Sequence, residues 1–126
     1  MGLYGGTPSF EAAAAIAGRH IVAGSGAGTK VRQAAASTDK LVGVSERMGA
    51  EAGGLVDVIQ AGWAEVELGG TVAAFDHVTA DATGRAVVAS GVAGQSIKVV
   101  GQVQADGVAG DIVWLRVAPS LIVLPA

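Results

Sequence analysis

The sequence predicts a single all-β domain, a sandwich or barrel built from two similar halves. Three observations carry that expectation. Valine supplies 19 of the 34 Leu, Ile, Val and Phe residues, and β-branched side chains suit a pleated surface better than a helix. Twenty glycines divide the 126 residues into short segments, the habit of all-β folds. The chain also answers itself. His20 returns as His77 and Gly53 as Gly110, both 57 residues on, while Val42-Gly43 returns as Val100-Gly101 at 58. The second copy is thus expected to have gained one residue. Gly53-Gly54-Leu55-Val56-Asp57-Val58 and Gly110-Asp111-Ile112-Val113-Trp114-Leu115 close the two copies with one pattern. Two repeats are too few for a solenoid and suit one duplicated domain. The expected organisation is an extended N-terminal arm (1–17), a β domain with halves at 18–61 and 62–117, and an apolar C-terminal tail (118–126).

Bulk composition narrows the function classes. Net charge is −3 and only 15% of residues are charged, so there is no basic stripe for nucleic acid. There is no cysteine, hence no disulfide framework and no thiolate nucleophile or metal site. No run of about 18 apolar residues spans a membrane, and the first residues lack the pattern of a signal peptide. A soluble protein made in the cytoplasm is expected. With five aromatic residues and many alanines, the core should be thin and oligomerisation would add burial.

Taken in order, Met1 to Phe10 mixes Gly2, Gly5, Gly6 and Pro8 with Leu3, Tyr4 and Phe10. It reads as a frayed terminus or as an arm docking on a neighbour, and Glu11 to Ala17 as its extended continuation. Strands follow at His20–Ala23, Val31–Gln33 and Leu41–Val44, then at Leu55–Ile59 and Ala64–Leu68. In the last of these, Val66 and Leu68 point inward, Glu65 and Glu67 outward. Trp63 just ahead reads as a cap on the barrel end or a subunit contact. In the second copy, strands at Phe75–Ala80 and Gly84–Val88 flank an acidic turn, with Asp81 leading and Gly84 closing it. Val99–Gln104 and Ile112–Val117 come last. Ala118-Pro119 is expected to end regular pairing, since proline cannot donate to a ladder. The apolar tail Leu121-Ile122-Val123-Leu124 should then cover the core or a partner.

No catalytic constellation emerges. Gly24-Ser25-Gly26-Ala27-Gly28-Thr29-Lys30 has Thr before Lys and no helix to follow, so it fails as a phosphate loop and reads as a hairpin. Glu65 and Glu67 share a face without a cleft around them, so they read as a solvated face. Asp76 and His77 are adjacent and point to opposite sides of a strand, which rules out an orienting hydrogen bond. The two histidines, in matching places, suggest a repeated strand-end role. No metal, cofactor or small-molecule substrate is expected.

With both copies laid out, the chain resembles the bacteriophage capsid cement, or head decoration, proteins of the small duplicated β-domain type. The resemblance rests on Ala17-Gly18-Arg19-His20-Ile21-Val22, Lys40-Leu41-Val42-Gly43-Val44 and Gly69-Gly70-Thr71-Val72 through Asp81. Gly84-Arg85-Ala86, Val99-Val100-Gly101 and Ala109-Gly110-Asp111-Ile112-Val113 continue it. The chain departs from the family pattern at Ala74-Phe75-Asp76, where the pattern has a small residue and a glycine before the aspartate. The resemblance implies a compact β barrel or β-tulip with an extended arm, and no enzymatic activity. It further implies a homotrimer on the outside of the expanded head, clamping major capsid protein. Leu3, Tyr4, Phe10, Trp63, Leu121, Ile122 and Leu124 are the expected capsid or subunit contacts. Other readings are a tail or fibre subunit and a small ligand-binding β barrel.

Overall fold

The computed structural model describes residues 8–91 and 93–123. The first half holds β1 (Ser9–Glu11), β2 (Ile21–Gly24), β3 (Val31–Gln33), β4 (Leu41–Ser45) and β5 (Leu55–Ile59). The second holds β6 (Gly62–Glu67), β7 (His77–Ala80), β8 (Ala86–Val88), β9 (Ser96–Val103) and β10 (Ile112–Val123). Each half makes one five-stranded antiparallel sheet, with orders β1-β5-β4-β2-β3 and β6-β10-β9-β7-β8. Adding five to every label of the first gives the second. Both sheets keep two end strands, so the expected barrel is replaced by two open sheets. Ser9–Glu11, in the expected arm, pairs with β5.

The duplication reaches individual residues. Phe10 opposes Val56 as Val66 opposes Val113. Outside the strands, the Ile16–Ala50 and Ala12–Val31 bridges return as Val72–Gly107 and Leu68–Ala86. One expected correspondence is corrected. The Arg19 amide donates to Ser45 O as the Phe75 amide donates to Val103 O, and His20 O accepts from Ser45 as Asp76 O accepts from Val103. His20 therefore matches Asp76, and Ile21 matches His77. Backbone pairing sets the register, so two like residues one place apart are not equivalent. Their surroundings differ accordingly. His20 Nδ1 lies 2.7 Å from Gly18 O, whereas His77 is exposed opposite Gln102.

The repeated Val-Gly pair has a steric cause. A Cβ on Gly43 would stand 2.1 Å from Ile59 O, and one on Gly101 2.0 Å from Arg116 O. At both places the neighbouring strand passes too close for any side chain.

The halves are joined by burial. The largest core cluster combines the inner face of the second sheet (Ala64, Val66, Leu68, Val78, Leu115 and Val117) with Ile21, Ala23 and Val44 of the first, and Ile59 packs against it. Ile21, Val44, Val66 and Leu115 are fully buried, each contributing roughly 1.5–3 kcal/mol. Val22, Val56 and Val58 point to the opposite side of the first sheet, where they form a second cluster with Ala12, Ile16 and Val31. The first sheet thus buries both faces. Hydrogen bonds reinforce the junction: the Ile21 amide donates to Gly84 O, and Gln33 Nε2 to Thr83 O at 2.7 Å.

Proline does not end the last strand. Pairing between β10 and β9 shifts register between Val117 and Ser120 and then resumes to Val123. Pro119 lies in that irregularity, where a ladder donor is dispensable. Ile122 packs beside Ile97 and Val99 in a small separate cluster.

Two predictions follow from this packing. Gly43→Ala and Gly101→Ala should each destabilise the protein by about 1–3 kcal/mol in urea unfolding; unchanged midpoints would show that the strands can separate to admit a methyl. The second concerns Asp39, whose carboxylate is held below the ordinary carboxylate range, first by its hydrogen bond from Arg32 and also by the Ala35 and Ala36 amides, against an opposing effect of burial. A depressed folded-state pKa adds stability above the unfolded value, lost as pH falls through the folded one. Asp39→Asn should therefore lower the melting temperature at pH 7, with the gap closing as pH falls below about 4. A gap independent of pH would assign the effect to hydrogen bonding alone.

Candidate interaction surface

Strand alternation builds an outward aromatic face on the second sheet. In β6, Ala64 and Val66 are buried, so Trp63, Glu65 and Glu67 point away from the core. In β10, Leu115 and Val117 are buried, so Ile112, Trp114 and Arg116 point the same way. The register sets Trp63 opposite Arg116, Glu65 opposite Trp114 and Glu67 opposite Ile112. The row continues from Arg116 to Gln102 and from Gln102 to His77. Trp63 is 60% exposed, Trp114 55% and Ile112 44%. Trp63 and Trp114 are diagonal neighbours, their backbone positions about 7–8 Å apart by strand geometry, and they share one recess with Gln104.

Beside the indoles runs a groove of about 440 Å³ between the halves, lined by Arg19, Arg47, Glu65, Ile59, Trp63 and Trp114 among others. Glu65 Oε1 lies 3.4 Å from both Arg19 Nε and Arg47 Nη2, and Arg85 Nη1 lies 3.6 Å from Glu67 Oε2. Glu65 and Glu67 share a face as the sequence suggests, and arginines hold both. Such part-exposed pairs contribute about 0–1 kcal/mol each. They fix the groove wall more than the fold.

Phe75 sits at the rim of this face. It has φ 70° and its equivalent Arg19 has φ 59°, the left-handed region that costs an ordinary residue roughly 1–2 kcal/mol. The Phe75 amide donates to Val103 O, and Gln102 Nε2 donates to Phe75 O at 3.1 Å. Asp76 Oδ2 accepts from the Ala73 amide and Asp106 Oδ1 from the Ala74 amide. Arg19, in the same conformation, turns its side chain to Glu65. Phe75 is 64% exposed, and burial does not offset its strain.

The expected contact residues fall in different places. Leu3, Tyr4 and Leu124 lie outside the described residues. Phe10 is half-buried against the first half's own cluster. Trp63 stands on the aromatic face. Leu121 is 60% exposed but lies further along β10, in a separate recess with Leu41, Lys98 and Pro119. The structure therefore groups Trp63 with Trp114, Ile112, Arg116 and Phe75, none of which sequence reasoning proposed as contacts. Strand parity held the signal for three of them, since inward Val113 and Leu115 force Ile112, Trp114 and Arg116 outward. For Phe75 the signal was a bulky residue where the pattern has glycine. Among the described residues, no three His, Cys, Asp or Glu side chains gather as a metal site.

No family model matches the chain, and no curated protein matches it. Among solved structures, it is similar to the head fiber gp8.5 N base in bacteriophage phi29, with 18% identity and a TM-score of 0.66 over 90% of this chain and 93% of that one. At that identity the likeness is one of fold, and it runs through both sheets.

The strained turn predicts an unusual stability result. Phe75→Gly relieves the left-handed strain while adding glycine's unfolded-state entropy, for a net gain of roughly 0.5–1 kcal/mol. Arg19→Gly should gain less, because it also removes the Glu65 pair. Thermal melts of both variants check this; a Phe75→Gly protein less stable than wild type would show that the phenyl ring supports the fold.

Proposed function

We propose that this chain is a structural protein of a phage virion, seated on the outside of the head as the base of a fibre-type appendage. The observation that carries the reading is the likeness to a head fiber base across nearly the full length of both chains. The composition supports it, since low charge and abundant Ala, Val and Gly suit a protein packed against other protein. The exposed tryptophans and Phe75 are the groups expected of a contact surface. A homotrimer engaging major capsid protein would turn a modest contact per subunit into firm attachment, because three sites bind at once.

A second reading, a cement protein that clamps capsid subunits, is supported by the repeated motifs around Gly43, Asp76 and Gly101. The two readings differ in copy number: cement covers every symmetric site, whereas a fibre base sits at the root of a projection. A small ligand-binding barrel has less support. Val66, Leu68, Val78 and Val100 are all buried in one apolar cluster and Val113 packs against it.

Co-sedimentation with expanded, undecorated heads of the source phage tests the proposal. Saturable binding to expanded heads is the expected result, with projections at the bound sites in electron micrographs of complete virions. A continuous layer covering all sites would transfer the assignment to cement. No binding at micromolar protein would refute both.

A further inference from the structure

Four of the five arginines have a carboxylate partner: Arg19 and Arg47 with Glu65, Arg32 with Asp39, and Arg85 with Glu67 and Asp81. Arg116 has none among the described residues. It stands on the outer face of the second sheet, directly opposite Trp63 and two positions along β10 from Trp114. An exposed guanidinium flanked by two exposed indoles can take a carboxylate in a bidentate pair, with apolar contact on either side. Among the described residues the other solvent-facing aromatic is Phe75, and its carbonyl accepts from the side chain of Gln102, the residue paired with Arg116. The left-handed turn recurs at Arg19, so what is particular to Phe75 is the exposed ring that it carries there. Among the described residues neither Asp76 nor Asp106 pairs with Arg116, and one carboxylate oxygen of each accepts from a turn amide.

The equivalent surface of the first half confirms that the polarity is specific to this face. The row Ile21-Val44-Ile59 is apolar, with Ile21 and Val44 buried and Ile59 half-buried between the halves, whereas the matching row is His77-Gln102-Arg116. One copy of the repeat uses this surface to bind its neighbour within the chain. The other presents it, with a cation at its centre.

We infer that the outer face of the second sheet, centred on Arg116 between Trp63 and Trp114 with Phe75 as an apolar anchor, docks a protein surface that presents a carboxylate beside an apolar pocket. The inference rests on the virion reading and specifies the chemistry of the head surface that would receive this chain. Nucleic acid is disfavoured as the occupant, because the chain as a whole carries a net charge of −3.

Expanded heads of the source phage serve as the probe, with wild type, Phe75→Gly and Arg116→Glu compared by co-sedimentation at low and moderate salt. Each variant should bind at least about tenfold more weakly than wild type, as expected for interface anchors. Arg116→Glu should also lose most of the wild-type salt dependence. Phe75→Gly separates contact from folding, since it should melt no lower than wild type while binding less. If both variants bind as tightly as wild type, the face is not the contact, and the virion reading stands on the wild-type result. If wild type does not bind heads, that reading falls and takes the inference with it. If ultracentrifugation shows an oligomer that Phe75→Gly dissolves, the face meets a second copy of this chain, and the acidic partner is refuted.

Discussion

The structure depends on the burial of the first sheet's back against the second sheet's core. Ile21, Ala23, Val44 and Ile59 fill the space above Val66, Leu68, Val78 and Leu115, so neither half has a complete core alone. A domain of this size with few aromatic side chains needs that shared volume, because small apolar residues bury too little surface in a single sheet. The hydrogen bonds from Ile21 to Gly84 and from Gln33 to Thr83 cross the same junction. Unfolding one half would therefore expose the core of the other, and a single cooperative transition is the natural behaviour.

That stacking also explains why two copies with one topology carry different chemistry. A stack of repeats needs a polar end to stop further addition. At the end of this one, His77, Gln102 and Arg116 occupy the positions that Ile21, Val44 and Ile59 fill inside. Duplication supplied the same backbone twice, down to the paired glycines at 43 and 101 and the left-handed residues at 19 and 75. Divergence then gave the inner copy an ion pair and the outer copy an exposed ring. Arg19 turns toward Glu65 at the junction, while Phe75 is left toward solvent.

Much of the strand content was legible because alternation and glycine breaks are local signals. Leu55–Ile59 could be read residue by residue, the alternation of Ala64–Leu68 and Ile112–Val117 was legible although their strands run Gly62–Glu67 and Ile112–Val123, and the turn at Asp81–Gly84 carried its own chemistry. Other features depended on information the sequence does not hold locally. Matching His20 to His77 by residue type gave an offset one residue wrong, since only backbone pairing fixes register. Pro119 looked like a stop, but a bulge let the ladder resume. Trp114 was readable as outward-facing by parity, yet its grouping with Trp63 follows from which strands are neighbours.

By itself, the sequence determined an all-β chain, a duplication and the positions of most strands, because side-chain period, β-branching and glycine spacing act over a few residues. Tertiary structure alone decided that the two sheets stay open and stack back to front. It also decided which copy of the repeated surface is buried and which is presented. The physical reason is that burial is a property of the pair of sheets. The same strand position is core or solvent-facing surface according to what lies across from it, and no local pattern records that neighbour.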